Sequence, residues 1–279
     1  MTKVVSFYGA SHSQGNRTLS LTMAKMLAES DYKTLYVELD LYKPSVAIAT
    51  QITDELRNTN VYFQNVIDKN VWSIDPYVLN RAYLLNAKAK SKQLYSHLPD
   101  KLDFLVLPID FNLREFPEII NGEKESEKKA HEFIEKFMYT LNTSNYDYVI
   151  LKLPVELRSI FGFEMIAASD HVVHIVTPSA NRINEGKQVT KFLNNNIFGI
   201  EDKLINVINL ASKEVPNEEY WDLLEDPVIV PYDTHRQQQE FEMKFGSSLI
   251  EESLHILADR LDAELTIQNK RNKKSFFKK

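Results

Sequence analysis

Cysteine is absent from the 279-residue sequence. That excludes disulfides, thiolate metal sites and a cysteine nucleophile, and it suits a reducing cytoplasm. No run of about 18 apolar residues occurs, so no segment is expected to span a membrane. A secretory signal is missing as well. The chain enters a strand-like segment at once, Val4-Val5-Ser6-Phe7-Tyr8, with no apolar stretch and cleavage site ahead of it. The expected location is the cytoplasm. Only seven glycines and ten prolines occur, and they form no Gly/Pro-rich linker. No internal repeat is visible. One body is therefore expected over residues 1–266, followed by a basic tail at 267–279.

Hydrophobic residues make up 43% and charged residues 26%, ordinary values for a globular protein. A chain of this length can bury a large core without staples. The formal net charge of −6 is unevenly placed. Residues 270–279 hold six basic side chains and no acid, which leaves −12 on residues 1–269. An acidic body matches a nucleic-acid backbone poorly, because that partner needs clustered Lys and Arg. Nucleic acid is not an expected partner.

Strand and helix patterns alternate along the chain. Strands are expected at 4–8, 34–39, 104–107, 148–153, 172–177, 204–210 and 228–230. Helices are expected at 18–29, 123–141, 185–194 and 247–265, with a mixed, largely helical stretch at 48–98 interrupted by Pro76. Alternation of this kind implies right-handed crossovers and a doubly wound, largely parallel α/β sheet with helices on both faces. Such sheets bind ligands beyond the carboxyl ends of their strands.

The first strand runs into Gly9-Ala10-Ser11-His12-Ser13-Gln14-Gly15-Asn16-Arg17-Thr18, and a helix follows. A loop so placed aims backbone N–H groups at an anion. Residues 3–40 resemble the start of MinD/ParA-type ATPases, the deviant Walker A group that includes CpaE/TadZ proteins. The helix Leu19-Ser20-Leu21-Thr22-Met23-Ala24-Lys25-Met26-Leu27-Ala28 is similar to the family's first helix. Val37-Glu38-Leu39-Asp40 resembles its V-D-x-D strand end, and the pair Pro44-Ser45 follows. Tyr146-Asp147-Tyr148-Val149-Ile150-Leu151-Lys152-Leu153-Pro154 resembles the Walker B strand. Val207-Ile208-Asn209 is similar to the strand whose Asn reads adenine, and Val230-Pro231-Tyr232-Asp233 to the late I-P-Y-D turn. The resemblance implies a SIMIBI-type P-loop NTPase fold.

The departures concern chemistry. Ser11 stands at the family's loop-start Lys, His12 and Ser13 at loop glycines, Asn16 at the P-loop Lys, Arg17 at the Mg²⁺-ligating Thr and Lys152 at the Walker B Asp. Thr18, Asp40 and Asn209 are kept, and Glu38 is a mild change. Asn16 cannot give phosphate the charge that Lys gives. Side chains at 12 and 13 crowd a loop that must approach its ligand closely. Arg17 and Lys152 put cations where Mg²⁺ would need oxygen ligands. Little hydrolysis is expected, since phosphoryl transfer depends on that positioning and neutralisation.

The resemblance thus marks Gly9, Ser11, His12, Ser13, Gly15, Asn16, Arg17, Thr18, Glu38, Asp40, Lys152 and Asn209 as the cofactor site. Two readings remain. In one, Glu38 and Asp40 pair with Lys152 and Arg17, and an ion-pair network fills the pocket without a cofactor. In the other, Arg17 and Lys152 hold ATP or ADP without Mg²⁺, because Arg binds phosphate in a bidentate fashion. No metal site and no catalytic residue are expected; Asp40 is catalytic only if the chain is a true ATPase. The expected function is a non-hydrolysing organiser acting through protein partners in division, segregation, pilus, secretion or conjugation machinery. The alternatives are an ATPase with unusual phosphate chemistry and a plasmid or chromosome partition protein. Any dimer would need an interface independent of nucleotide, because Ser11 cannot reach a neighbour's phosphates as Lys does.

Other groups have plainer readings. His12 reads as a surface loop histidine, and His171 and His174 as structural. The alternating acids and lysines of residues 123–136 read as a solvated helix face. The tail combines Lys273 and Lys274 with Phe276 and Phe277. It lies where MinD-type proteins carry a membrane-targeting segment, so an anionic membrane at the inner face of the cell is a candidate partner.

Overall fold

The computed structural model describes residues 1–41, 43–87, 95–110, 124–242 and 245–266. Seven strands form one sheet: β1 (Lys3–Tyr8), β2 (Thr34–Glu38), β3 (Leu102–Leu105), β4 (Tyr148–Lys152), β5 (His171–Val176), β6 (Leu204–Ala211) and β7 (Val228–Pro231). Their order is β3-β2-β4-β1-β5-β6-β7, and every neighbouring pair is parallel. The helices are α1 (Asn16–Glu29), α2 (Ser45–Thr50), α3 (Thr59–Lys69), α4 (Arg81–Ala87), α5 (Lys124–Asn142), α6 (Phe163–Ala168), α7 (Ala180–Asn196), α8 (Asn217–Trp221), α9 (Arg236–Phe241) and α10 (Ser248–Arg260). The doubly wound parallel sheet expected from the sequence is the one observed.

A strand buried on both faces sends alternate residues to opposite layers. On β1, Val5 and Phe7 pack with α1 and α10, while Val4 and Tyr8 pack with α5. α1 is buried almost all round, from Thr18 through Ala28, because it is sandwiched between the sheet and α10. β1 lies at the centre of the sheet between β4 and β5. The loop after it therefore opens at the crevice where the winding direction reverses.

Several boundaries differ from the sequence pattern. The third strand is 102–105 and not 104–107. The Val106 carbonyl leaves the ladder to accept the Thr59 N–H at the start of α3 (2.9 Å), and Pro108 follows without a donor. α7 begins five residues earlier than expected, because its polar first turns carry no apolar period and bury only Ile183. α10 stops at Arg260, where Asp262 enters the left-handed region at φ 52°. Its start is capped by the Ser247 hydroxyl, which accepts the Ile250 N–H. The five- and six-residue helices α6, α8 and α9 are too short for a periodic signal. Among the described residues no helix is long and apolar enough to cross a membrane.

His174 on β5 is fully buried, stacked on Tyr8 with ring centroids 6.0 Å apart, and its Nδ1 donates to Asn206 Oδ1 at 3.2 Å. Burial pulls its pKa from 6.5 down to about 4. The folded state thus holds the neutral ring. This contribution is complete above pH 6.5 and is lost as pH falls toward 4, by about 1.4 kcal/mol per pH unit. Chemical denaturation of the parent and of His174→Gln across pH 4–7 tests this. The stability difference between them should narrow steadily below pH 6.5; a difference independent of pH would remove His174 from the acid response.

Candidate functional site

Strand register decides the centre of the site. In the parallel pairing of β2 with β4, Glu38 stands opposite Lys152, and Lys152 stands opposite Phe7 of β1. Residues in register on neighbouring strands project from the same face, here the one covered by α1. Lys152 Nζ lies 2.7 Å from Asp40 Oδ2 and 3.6 Å from Glu38 Oε1. All three residues are buried, at 4%, 5% and 0% exposure. The ammonium therefore lies between two carboxylates at the ends of adjacent strands. The expected pairing of Lys152 with both acids is present.

Glu38 has a second task that the sequence reading missed. Its Oε1 accepts the Ser45 N–H (2.9 Å), the Ser45 hydroxyl (2.7 Å) and the Val46 N–H (3.2 Å). A carboxylate at a helix start satisfies donors that have no partner within the helix, so Glu38 anchors α2. Burial pushes its carboxyl above the ordinary range, opposed by Lys152 and by the Ser45 and Val46 hydrogen bonds. The Pro44-Ser45 pair was visible in the sequence, but its hydrogen bonds to Glu38 were not. Arg17, at the second position of α1, points Nη1 at the Ser45 carbonyl at 3.4 Å. It thus meets the same helix start rather than only the two acids.

The loop between β1 and α1 is filled by its own amides. A Cβ on Gly9 would meet Asn16 Oδ1 and Gln14 Oε1, each at 2.6 Å. Gln14 is 2% exposed, and neither its oxygen nor its nitrogen has a partner. Asn16 Oδ1 lacks one too. Gln14 was not singled out from sequence, because a loop glutamine carries no signal of burial. Ser13 takes φ 64°, a left-handed backbone at one of the positions where the resemblance placed a glycine. Gly15 takes φ 98°, and a Cβ there would meet Asn209 Nδ2 at 2.1 Å. The Asn209 amide donates to the Gln14 carbonyl at 2.7 Å and is 1% exposed. That donor is used to hold the loop and is not offered to a base, contrary to the adenine role the resemblance implied. Next to it, Leu210 sits at φ 64° in an irregularity of the β6–β7 pairing. Ser11 Oγ donates to Glu185 Oε2 at 2.6 Å, tying the loop to α7. His12 is exposed, as expected for a surface histidine, and Thr18 is buried.

A cavity of about 250 Å³ opens over this loop, lined by residues 11–18 with Asp40, Lys43, Ser45, Lys152 and Arg236. Beside it a larger cavity of about 800 Å³ lies at the ends of β6 and β7, lined by Leu210, Tyr232, Asp233, His235 and Ser247 among others.

A family model described as an AAA domain matches residues 2–207. The chain belongs to this AAA-domain family. The AAA-domain chain also shares its fold with solved ParA and MinD ATPases. A putative plasmid partition protein from Borrelia burgdorferi B31, bound to AMPPNP, superposes with a TM-score of 0.66 at 16% identity, covering 94% of this chain and 99% of that one. A ParA family ATPase from Chlorobium tepidum TLS gives 0.62 at 16% identity over 91% and 99%. A chain of the MinC:MinD cell division complex from Aquifex aeolicus gives 0.59 at 16% identity over 95% and 98%. No curated protein sequence matches it significantly.

ATPases of this fold class imply Mg²⁺ with the nucleotide, and the residues here do not fit it. Mg²⁺ demands octahedral oxygen ligands at close range. The space between the two strand-end carboxylates of this AAA-domain chain is taken by an ammonium group. Among the described residues no set of three or more His, Asp or Glu could hold a metal ion. The membrane candidates Lys273, Lys274, Phe276 and Phe277 lie outside the described residues.

Removing the ammonium strands two buried acids. Lys152→Ala should cost about 3–5 kcal/mol, read as a drop in thermal midpoint. Adding Asp40→Asn should recover part of that loss, since one buried charge disappears. An unchanged midpoint for Lys152→Ala would show that the pair contributes nothing.

Proposed function

We propose that this chain is a non-hydrolysing member of the ParA/MinD group, working as an organiser through protein partners. The observation that supports it is the buried Lys152 ammonium lodged between Glu38 and Asp40. A fixed cation there supplies internally the charge that a metal would bring, and it repels the metal itself. Phosphoryl transfer then lacks both the bridging ion and a lysine at the loop, where Asn16 stands. What remains usable is surface. The MinC:MinD complex of Aquifex aeolicus gives one precedent for a protein of this fold that works through a partner. Components of division, segregation, pilus, secretion or conjugation machinery are the partners proposed here.

Phosphate release from ATP in the presence of Mg²⁺ is the direct test. The rate with protein should equal the rate without it, and Asp40→Ala should change nothing. Mg²⁺-dependent turnover abolished by Asp40→Ala would establish the ATPase alternative instead.

The basic, Phe-containing tail extends the proposal to an anionic membrane surface. Each Lys or Arg near such a surface contributes about 1 kcal/mol. Full-length chain should pellet with anionic vesicles more strongly than a chain ending at Asn269. Equal pelleting of the two would dismiss a role for the tail.

A further inference from the structure

We propose that the cavity over the first loop is a metal-free site for a phosphoryl dianion, and that Mg²⁺ opposes binding there. The inference rests on the non-hydrolysing reading above and names the ligand chemistry of that same site.

Charge carries the argument. Arg17, Lys43, Lys152 and Arg236 line the cavity, and Asp40 is the one carboxylate that does so. Glu38 lies behind Lys152 as its second counter-ion. Counting all six groups leaves an excess of two positive charges. Arg236 is the first residue of α9 and Lys43 lies between β2 and α2, so three separate segments converge on one opening together with α1. A phosphoryl group carries about two negative charges and accepts several hydrogen bonds at once.

Unmet hydrogen bonding points the same way. Gln14 lines the cavity, is 2% exposed, and has neither amide atom paired. Burying an unpaired amide costs free energy, and a bound oxyanion would accept from its Nε2. The cavity opens at the N-terminus of the 14-residue α1, whose first turn contains no acid. That end favours an anion through its dipole.

Size limits the ligand. The volume of about 250 Å³ falls below that of a pocket enclosing a drug-sized molecule. It accommodates a phosphoryl group, with the rest of any larger ligand outside. Such a group could come from free phosphate or from the terminal phosphate of a nucleotide. In neither case does Mg²⁺ help. Chelation removes the charge that the cations recognise, and Lys152 occupies the position between the acids.

Isothermal titration of the full-length chain with inorganic phosphate, ADP and ATP tests this, each probe in EDTA and again in MgCl₂. Binding is expected in EDTA. Heat from phosphate assigns free phosphate as sufficient; heat from ADP or ATP with phosphate silent assigns the nucleotide terminus. Mg²⁺ should weaken nucleotide binding. Arg236→Gln and Lys43→Gln should each lower affinity about tenfold while thermal midpoints stay at the parent value. No heat from any probe, tighter nucleotide binding in Mg²⁺, or variants that bind like the parent would overturn the site. Turnover of ATP with Mg²⁺ would instead overturn the reading on which the inference rests. A chain that neither hydrolyses nor binds would overturn the anion site alone.

Discussion

The ion pair of Lys152 with Asp40 and Glu38 organises the carboxyl end of the sheet. Buried charges are tolerated only when paired and hydrogen-bonded, and this triad meets the condition through three elements. Lys152 ends β4, Glu38 ends β2, and Asp40 lies two residues beyond β2. Glu38 passes the constraint onward by capping α2. The position of α2 is therefore tied to a charge in the core, and Arg17 meets the same helix start from α1. Loop, strand ends and helix start are held by one set of contacts.

The architecture was legible because its signals are long and redundant. Apolar runs such as Val149-Ile150-Leu151 and Val172-Val173 are fully buried central strands, and their alternation with helices leaves few topologies open. The pairing of Lys152 with the acids was legible as well, since opposite charges at the ends of adjacent parallel strands have little else to pair with. Other contacts were not. Gln14 and Asn16 pack over Gly9 because of loop torsions that no residue type announces. Asn209 kept the residue type that the resemblance associates with a base, yet its amide is turned onto the Gln14 carbonyl. Identity at a motif position does not fix the direction of a side chain. Short helices such as α8 stayed hidden, because five residues do not span two turns.

Membership of the AAA-domain family and the ParA/MinD fold set where a ligand would sit, and the side chains set which one. A fold can be retained while its site is given other chemistry. Here a parallel sheet delivers the same strand ends to the same crevice, but the side chains arriving there are cationic where oxygen donors would be needed.

The close approach of Gly15 to Asn209 bears on how this sequence can vary through descent. Any side chain at position 15 would collide with the amide at 209, and that amide is what holds the loop carbonyl of Gln14. A smaller residue at 209 would relieve the collision but release the loop. Neither site can drift by itself, so divergence at this point requires paired replacement or none. Two positions 194 residues apart in the chain are thereby linked as a single heritable unit.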